Sequence, residues 1–314
     1  MKIGFLFPGQ GTQSVGMGLD LYQQFSEAKN IYDKVSEITG IDIKQISFNG
    51  PEEVLNKTQN TQLAVLTESL AILEVLKKNN INAQMSAGLS LGEYTALIED
   101  NIFDFETGVK LVQKRGEIMQ DKVPEGNWKM LAIMGLDENK ISEICEQVSK
   151  KYFVAMANYN TMGQIVVSGE ENGITSVSEL AKENGARKVT ILNTAGPFHT
   201  IKLKECAKAL KETLDNINVN NKNSKVIKNL DGTLYNVNDD IKEVLAKHIM
   251  NPVRFTSCLN TMYDNGIDTF IEIGPGKTLS GFVKRMKFQK PINILNINNC
   301  ASLEKTIKEV KENG

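Results

Sequence analysis

The sequence predicts an α/β protein, because strand-like and helix-like runs alternate along its 314 residues. Two further observations refine this prediction. The pattern Gly-x-Ser-x-Gly at residues 88–92 lies between a strand-like and a helix-like run, as in the nucleophile elbow of an α/β-hydrolase-like domain. Residues 126–195 read as β-α-β-β-α-β, the order of a ferredoxin-like subdomain. We therefore predict a large α/β-hydrolase-like domain with a parallel sheet, residues 1–125 and 196–314, into which this small subdomain is inserted.

Two glycine-rich stretches resemble nucleotide-binding motifs but do not match them. The first follows the apolar strand-like run 3–7, and residues 9–14 nearly match Gly-x-Gly-x-x-Gly. Its third glycine is missing, and Asp33 falls within a helical run instead of at the end of a second strand. The second, residues 274–278, ends like a phosphate-binding loop, but Ile271 stands where the opening glycine belongs. We therefore exclude both nucleotide-binding interpretations.

Ser90 stands at the centre of the Gly-Leu-Ser-Leu-Gly run. Residues 81–87 read as a short strand and residues 93–98 as a helix, which is the context that a nucleophile elbow requires. The glycines allow a sharp turn that places the serine hydroxyl outward at the helix N-terminus. A serine between glycines is often only structural, but the flanking elements favour Ser90 as a nucleophile.

Arg115 lies within the apolar stripe of a helix predicted over residues 104–120. A guanidinium on the inward face needs a carboxylate or several acceptors, because an unpaired buried charge is costly. One interpretation is that Arg115 binds an anionic group in a cleft. The alternatives are that it pairs with an internal acid such as Glu93, or that its side chain reaches out to solvent.

The segment predicted as the small subdomain has six elements. Its predicted strands are 130–134, 153–157, 164–168 and 187–192, and its predicted helices are 138–149 and 172–184. Ser90 and Arg115 precede this segment, and His199 follows it. We therefore expect the active site to lie in the cleft between the two units.

A serine nucleophile needs a base, and the chain contains only two histidines. His199 follows a Gly-Pro turn, so it is well placed to project into a cleft; the alternative is a solvated loop histidine. His248 lies on the apolar face of a helical run and is interpreted as a packed residue. Its backbone carbonyl lacks the usual helical donor, because Pro252 has no N–H. That carbonyl is able to hold a histidine ring N–H, as the aspartate of a triad does, although water would satisfy it equally well.

Composition favours an ordinary intracellular enzyme. The net charge is −2 with a pI near 5.9, which argues against nucleic acid or a membrane as the main partner. No apolar run approaches the roughly 20 residues that span a bilayer, and the first strand begins too early to leave room for a signal peptide. The cysteines show no metal-ligand spacing, so we expect no metal and a reducing cytoplasm. They are Cys145, Cys206, Cys258 and Cys300.

Six short motifs occur in a characteristic order. They are FPGQGTQ at 7–13, GLSLGEY at 88–94, RG at 115–116, GPFH at 196–199, NPV at 251–253 and EIGPGK at 272–277. With these motifs the chain resembles the malonyl-CoA:acyl carrier protein transacylase family over essentially its full length. The resemblance implies transfer of a malonyl group from coenzyme A to the phosphopantetheine thiol of an acyl carrier protein, through a malonyl-serine, for fatty-acid or polyketide synthesis.

The resemblance also implies roles for single residues. Ser90 and His199 would form a catalytic dyad, and Arg115 would bind the malonyl carboxylate through a bidentate pair. A backbone carbonyl would orient the catalytic histidine; the family usually has glutamine at that position, where this chain has His248. Leu89 stands where the family commonly has histidine, a side chain with no expected chemical role.

We expect the oxyanion to be bound by the backbone N–H groups of Gln10 and Leu91. Phe198 is expected to crowd an α-methyl branch and so favour malonyl over methylmalonyl. The thioester of coenzyme A and the carrier's phosphopantetheine are substrates, no cofactor is bound permanently, and a monomer is expected. The carrier protein is expected to be acidic, so a basic cluster is a docking candidate, unless it is only a solvated basic face. Its members are Lys284, Arg285, Lys287 and Lys290.

Three other functions remain as alternatives. An α/β-hydrolase would need an acid between the serine and the histidine in the sequence, and none lies at an obvious strand end. A patatin-like lipase would use a Ser–Asp dyad with Asp231, although Asp-Gly more often marks a simple turn. A non-enzymatic carrier-binding module would leave the elbow without a function.

Overall fold

The computed structural model describes residues 1–192 and 196–313. Residues 193–195, at the end of the predicted small subdomain, and residue 314 lie outside the described residues. The strands of the described chain are β1 (Ile3–Phe7), β2 (Met85–Gly88), β3 (Trp128–Met134), β4 (Val154–Thr161), β5 (Gln164–Glu170), β6 (Lys188–Leu192), β7 (Thr269–Ile273) and β8 (Asn293–Ile297).

The α-helices surround these strands. They are α1 (Leu19–Gln24), α2 (Ser26–Thr39), α3 (Glu52–Leu55), α4 (Thr58–Lys78), α5 (Leu91–Glu99), α6 (Phe105–Asp121), α7 (Glu138–Ser149), α8 (Glu171–Glu183), α9 (Lys204–Asp215), α10 (Ile241–His248), α11 (Phe255–Asp264), α12 (Thr278–Arg285) and α13 (Cys300–Asn313). A π-helical turn covers Gln45–Asn49 and a 3-10 turn covers Ile201–Leu203.

One sheet is parallel, with the strand order β2-β1-β7-β8. Every residue of β1 and β7 is buried, as expected for parallel strands that are covered on both faces. Phe7 pairs with Gly88, so β1 and β2 end side by side. The glycine-rich loop after β1 and the elbow after β2 therefore leave the sheet at the same edge, where α/β proteins bind their ligands.

The second sheet is antiparallel, with the order β4-β5-β3-β6, and its elements follow the predicted β-α-β-β-α-β order. Its two faces pack differently. Leu131, Ile133 and Val167 belong to a core cluster formed with α7 and α8. The alternate residues Met130 and Ala132 join a second core cluster that includes Phe5 and Phe7 of β1, because neighbouring strand residues point to opposite faces. Met130 and Ala132 also line a cleft, together with residues of the loops after β1 and β2.

The predicted α/β class and parallel sheet are confirmed, with shifted boundaries. The strand predicted over residues 81–87 was wrong in its first half. The Ile81 N–H bonds back to the carbonyl of Leu76 at the end of α4, so only Met85–Gly88 pairs with β1. Strand β4 runs past its predicted end at residue 157, and two irregularities in its pairing with β5 accompany the extension. Within the described residues, no helix is long and apolar enough to cross a membrane.

Candidate active site

The turn between β2 and α5 places Ser90 at the edge of the cleft. Ser90 has φ 54° and ψ −99°, a strained conformation for a residue with a side chain. A Cβ on Gly88 would lie 1.8 Å from the carbonyl carbon of Gly92, and one on Gly92 would lie 2.0 Å from the carbonyl oxygen of Phe7. Both glycines are therefore required by close backbone contacts, and the strand-turn-helix arrangement is that of a nucleophile elbow.

Asn229 holds this turn and was missed by the sequence analysis. Its Oδ1 accepts the Ser90 N–H at 2.8 Å, and its Nδ2 donates to the carbonyl of Gly88 at 2.7 Å. The side chain is fully buried. No sequence pattern indicated it, because an asparagine two residues before Asp-Gly looks like part of a turn.

Ser90 and His199 are in direct contact, with 2.7 Å between Oγ and Nε2. His199 Nδ1 lies 3.2 Å from two backbone carbonyl oxygens, those of His248 and Asn251. A carbonyl only accepts, so the proton belongs on Nδ1, and Nε2 is free to take the proton of Ser90. Burial lowers the pKa of His199 well below its usual value, and His248 and Arg115 lower it further. The ring is therefore neutral at neutral pH, the form that a base needs.

Arg115 is 1% exposed and reaches the nucleophile. Its Nη2 lies 3.1 Å from Ser90 Oγ, its Nη1 donates to Gln62 Oε1, and its guanidinium carbon lies 5.0 Å from the centre of the Tyr94 ring. Its Nε has no partner among the described residues. The predicted alternative, pairing with Glu93, is wrong. Burial lowers the pKa of Arg115, because desolvation disfavours the charge.

The cleft at this edge has a volume of about 490 Å³. Its lining includes Ser90, Arg115 and His199, together with Gln10, Leu91, Met119 and Phe198. The loop carrying Gln10 lies against the elbow, since a Cβ on Gly9 would be 2.3 Å from the Leu89 carbonyl oxygen. Neither the Gln10 nor the Leu91 N–H donates to a described residue. Both donors are therefore available to a ligand.

Comparison with known proteins identifies the family. Residues 4–313 match the model of the acyl transferase domain. The malonyl CoA-acyl carrier protein transacylase of Bacillus subtilis (strain 168) is 41% identical over 312 residues, 99% of this chain and 98% of its own. The chain belongs to this transacylase family. The crystal structure of the Clostridium perfringens transacylase has a TM-score of 0.93 and 43% identity, covering 99% of this chain and 98% of its own.

A second solved structure similar to this chain contains a partner. It is a type II PKS acyl-carrier protein in complex with its malonyl-transacylase, with a TM-score of 0.93 and 33% identity. The match covers 98% of this chain and all of the other. That relative therefore binds a carrier protein on the same fold.

The geometry of the site argues against two alternative functions. Asp231 is 48% exposed at its side chain, and its Oδ1 accepts from the backbone and hydroxyl of Thr233, so it marks a turn and is not the base of Ser90. The ring of His199 meets two carbonyls at Nδ1 and no carboxylate, so the hydrolase-type acid is also wrong. His199 is 4% exposed, which overturns its interpretation as a solvated loop residue.

His248 differs in one respect from the sequence expectation. Its carbonyl was expected to lack a backbone donor, but the Asn251 N–H reaches it at 3.2 Å, one residue earlier than a regular helix would. The same oxygen still contacts His199, because a carbonyl has two lone pairs. The His248 ring is buried, as predicted, and its Nδ1 lies 3.1 Å from Glu93 Oε2.

The predicted docking cluster lies at the surface. Lys284 and Arg285 are exposed at the end of α12, whose residues Thr278, Leu279 and Phe282 line the cleft. Lys287 and Lys290 are exposed just beyond. No group of three or more His, Cys, Asp and Glu side chains able to hold a metal occurs in residues 1–192 and 196–313.

Proposed function

We propose that this chain transfers a malonyl group from coenzyme A to the phosphopantetheine thiol of an acyl carrier protein, and so supplies fatty-acid or polyketide synthesis. One observation supports malonyl as the acyl group. Arg115 is a buried cation with no carboxylate partner among the described residues, 3.1 Å from the nucleophile. Such a charge is costly unless a ligand pairs with it, and a malonyl thioester brings a carboxylate to that position.

The reaction proceeds in two symmetrical halves. Ser90 Oγ attacks the malonyl thioester while His199 Nε2 takes its proton, and the coenzyme A thiol leaves with that proton. The carrier's phosphopantetheine thiol then attacks the malonyl-serine, giving its own proton to His199, and Ser90 is released in its original form. In both halves the tetrahedral oxyanion accepts from the N–H groups of Gln10 and Leu91.

The carbonyl of His248, with that of Asn251, keeps the proton of His199 on Nδ1 throughout this cycle. Two neutral carbonyls therefore fix the tautomer of His199, the role that an aspartate has in a triad. Phe198, buried beside the base and lining the cleft, crowds an α-methyl branch and disfavours methylmalonyl. Neither half of the reaction needs a permanently bound cofactor or a metal.

The carrier protein docks on the basic cluster Lys284, Arg285, Lys287 and Lys290, because an acidic carrier complements an exposed basic surface next to the cleft.

The chain acts as a monomer, with no nucleic-acid or membrane partner. The cytoplasm is its compartment, and four free, buried cysteines agree with a reducing setting. The large unit, 1–125 and 196–314, is α/β-hydrolase-like, and the insert, 126–195, is ferredoxin-like; the strand order β4-β5-β3-β6 supports the latter.

The decisive experiment is to trap the acyl-enzyme. Incubation of the protein with malonyl-CoA should add one malonyl group to the peptide containing Ser90, detected by mass spectrometry, and release an equal amount of coenzyme A. Ser90→Ala should carry no label, whereas Ser14→Ala, a change in the glycine-rich loop, should label like the wild type. Labelling of a different residue, or release of free malonate without any acyl-serine, would contradict the proposal.

A further inference from the structure

Glu93 is a buried carboxylate that contacts three residues, Asn229, Tyr235 and His248. It lies in the first turn of α5, three residues after the nucleophile, and is fully buried. Its Oε1 accepts the Tyr235 hydroxyl at 2.6 Å. Its Oε2 accepts the Asn229 N–H at 3.3 Å and lies 3.1 Å from His248 Nδ1. Three donors for two oxygens satisfy a buried charge that would otherwise be costly.

The contact with Asn229 leads to the serine. Glu93 holds the backbone of Asn229, and the side chain of Asn229 holds the elbow at two points, the Ser90 N–H and the Gly88 carbonyl. The strained conformation of Ser90 persists only if its surroundings fix it. Glu93 therefore acts on the nucleophile through one intervening residue.

The contact with His248 leads to the base. Glu93 holds the His248 ring, and the carbonyl of the same residue accepts from His199 Nδ1. The two imidazole rings also lie close together in a tilted arrangement, with ring centres 5.0 Å apart and an angle of 31° between their planes. The position of His248 therefore constrains both the position and the orientation of the His199 ring.

We propose that Glu93 is the positioning residue that aligns the two halves of the dyad, acting on Ser90 through Asn229 and on His199 through His248. This inference rests on the proposed function. Glu93 lies between the serine and the histidine in the sequence, as the acid of a hydrolase triad does, but it is one imidazole removed from the base. In this chain a histidine at position 248 gives the carboxylate a ring N–H to hold.

The test compares two buried glutamates of the same helix. Glu99, at the end of α5, accepts from Lys225 and Ser86 and makes no contact with the dyad. Glu93→Ala should lower the kcat of malonyl transfer by about 10²-fold, since a misplaced reacting group costs roughly that much. The KM for malonyl-CoA should stay the same, because Arg115 is untouched. Glu99→Gln should lower the melting temperature without changing kcat.

Glu93→Gln keeps one carbonyl acceptor and should recover part of the lost kcat. The same substitution is then made in a His248→Leu background, which keeps the orienting carbonyl. There Glu93→Gln should lower kcat by a smaller factor than in the wild type, since the contact between Glu93 and the His248 ring is already absent. If Glu93→Ala does not fold, the Gln variant and this double-mutant cycle carry the test. The inference would be overturned if Glu93→Ala left kcat unchanged or raised KM instead of lowering kcat. Strictly additive effects of Glu93→Gln and His248→Leu on kcat would also overturn it. A wild-type protein that forms no malonyl-serine would instead overturn the proposed function.

Discussion

The proposed choice of acyl group depends on one side chain. Arg115 donates to two neutral oxygens, Gln62 Oε1 and Ser90 Oγ, and no carboxylate in the described residues balances its charge. Gln62 is in turn fixed by donating from Nε2 to the sulfur of Met119 at 3.3 Å. The guanidinium is thus held in place before substrate arrives, which reduces the entropy lost on binding.

Arg115→Ala should therefore separate charged from neutral acyl groups. Loss of a desolvated ion pair costs roughly 2–5 kcal/mol, so kcat/KM for malonyl-CoA should fall about 30-fold to several thousand-fold. Acetyl-CoA forms no such pair, so its transfer should fall far less or rise. The measurement is the malonyl-to-acetyl ratio in both proteins, with Lys110→Ala, an exposed cation on the same helix, as the control. A parallel loss for both substrates would make Arg115 a structural residue.

His248 should affect the pH dependence more than the rate at neutral pH. Burial is the main cause of the low pKa of His199, and the Coulombic effect of the His248 imidazole lowers it further. His248→Gln removes the imidazole but keeps the carbonyl and an amide N–H for Glu93. The pKa of His199 should then rise, so the acid limb of the kcat/KM profile should move to higher pH while the plateau is retained. A limb that stays in place, or a plateau as low as that of His199→Ala, would contradict this.

At the scale of single elements, the elbow depends on a glycine that has an ordinary backbone conformation. Gly92 is helical, so glycine is required there because a Cβ would lie 2.0 Å from the Phe7 carbonyl oxygen and 2.9 Å from that of Pro8. The first turn of α5 is packed directly on the end of β1. Any side chain at Gly92 must push the helix N-terminus, and with it the Leu91 N–H, away from the sheet.

Gly92→Ala should therefore abolish acyl-serine formation and lower the melting temperature. Gly281 in α12 is the matched control. Outside the helix backbone, an added Cβ there would have one heavy atom of the described residues within 4 Å, the flexible end of Arg285 at 3.6 Å. Gly281→Ala should stabilise the protein by roughly 0.5–1 kcal/mol, because alanine loses less entropy in a helix. Differential scanning calorimetry of both variants checks the prediction. If Gly92→Ala and Gly281→Ala changed the melting temperature equally, the backbone around Gly92 would accommodate a Cβ and the prediction would be wrong.

Elements and some candidate site residues were predictable where local patterns determine them. The helix 138–149 was predicted to the residue, because Asp137 caps it and its apolar positions keep a helical spacing. Ser90 and Arg115 were found from a turn motif and an apolar stripe. Asn229 and Gln62 were missed, since an uncharged amide has no sequence signature and Asn229 lies 139 residues from the serine it holds. Glu93 was considered only as a partner for Arg115, because sequence does not reveal which buried groups meet.

At the scale of the whole molecule, Glu68 is a buried acid outside the active site. It lies in the long helix α4, fully buried, and neither carboxyl oxygen has a partner among the described residues. Burial raises its pKa from 4.5 to about 8, and the charge of Asp20 adds to the shift. The folded state therefore binds this proton more tightly than the unfolded chain does. Its contribution to stability is fully present below pH 4.5 and is lost as the pH rises through about 8.

Glu68→Gln should remove this dependence on pH, because the amide has the same shape and does not titrate. Each unit of pKa shift corresponds to about 1.4 kcal/mol, so the wild type should lose considerably more unfolding free energy between pH 5 and pH 9 than the variant does. Urea unfolding at both pH values provides the comparison, and Glu99→Gln serves as the control because Lys225 and Ser86 satisfy that carboxylate. If wild type and Glu68→Gln lose equal stability over this range, Glu68 does not hold its proton in the folded protein.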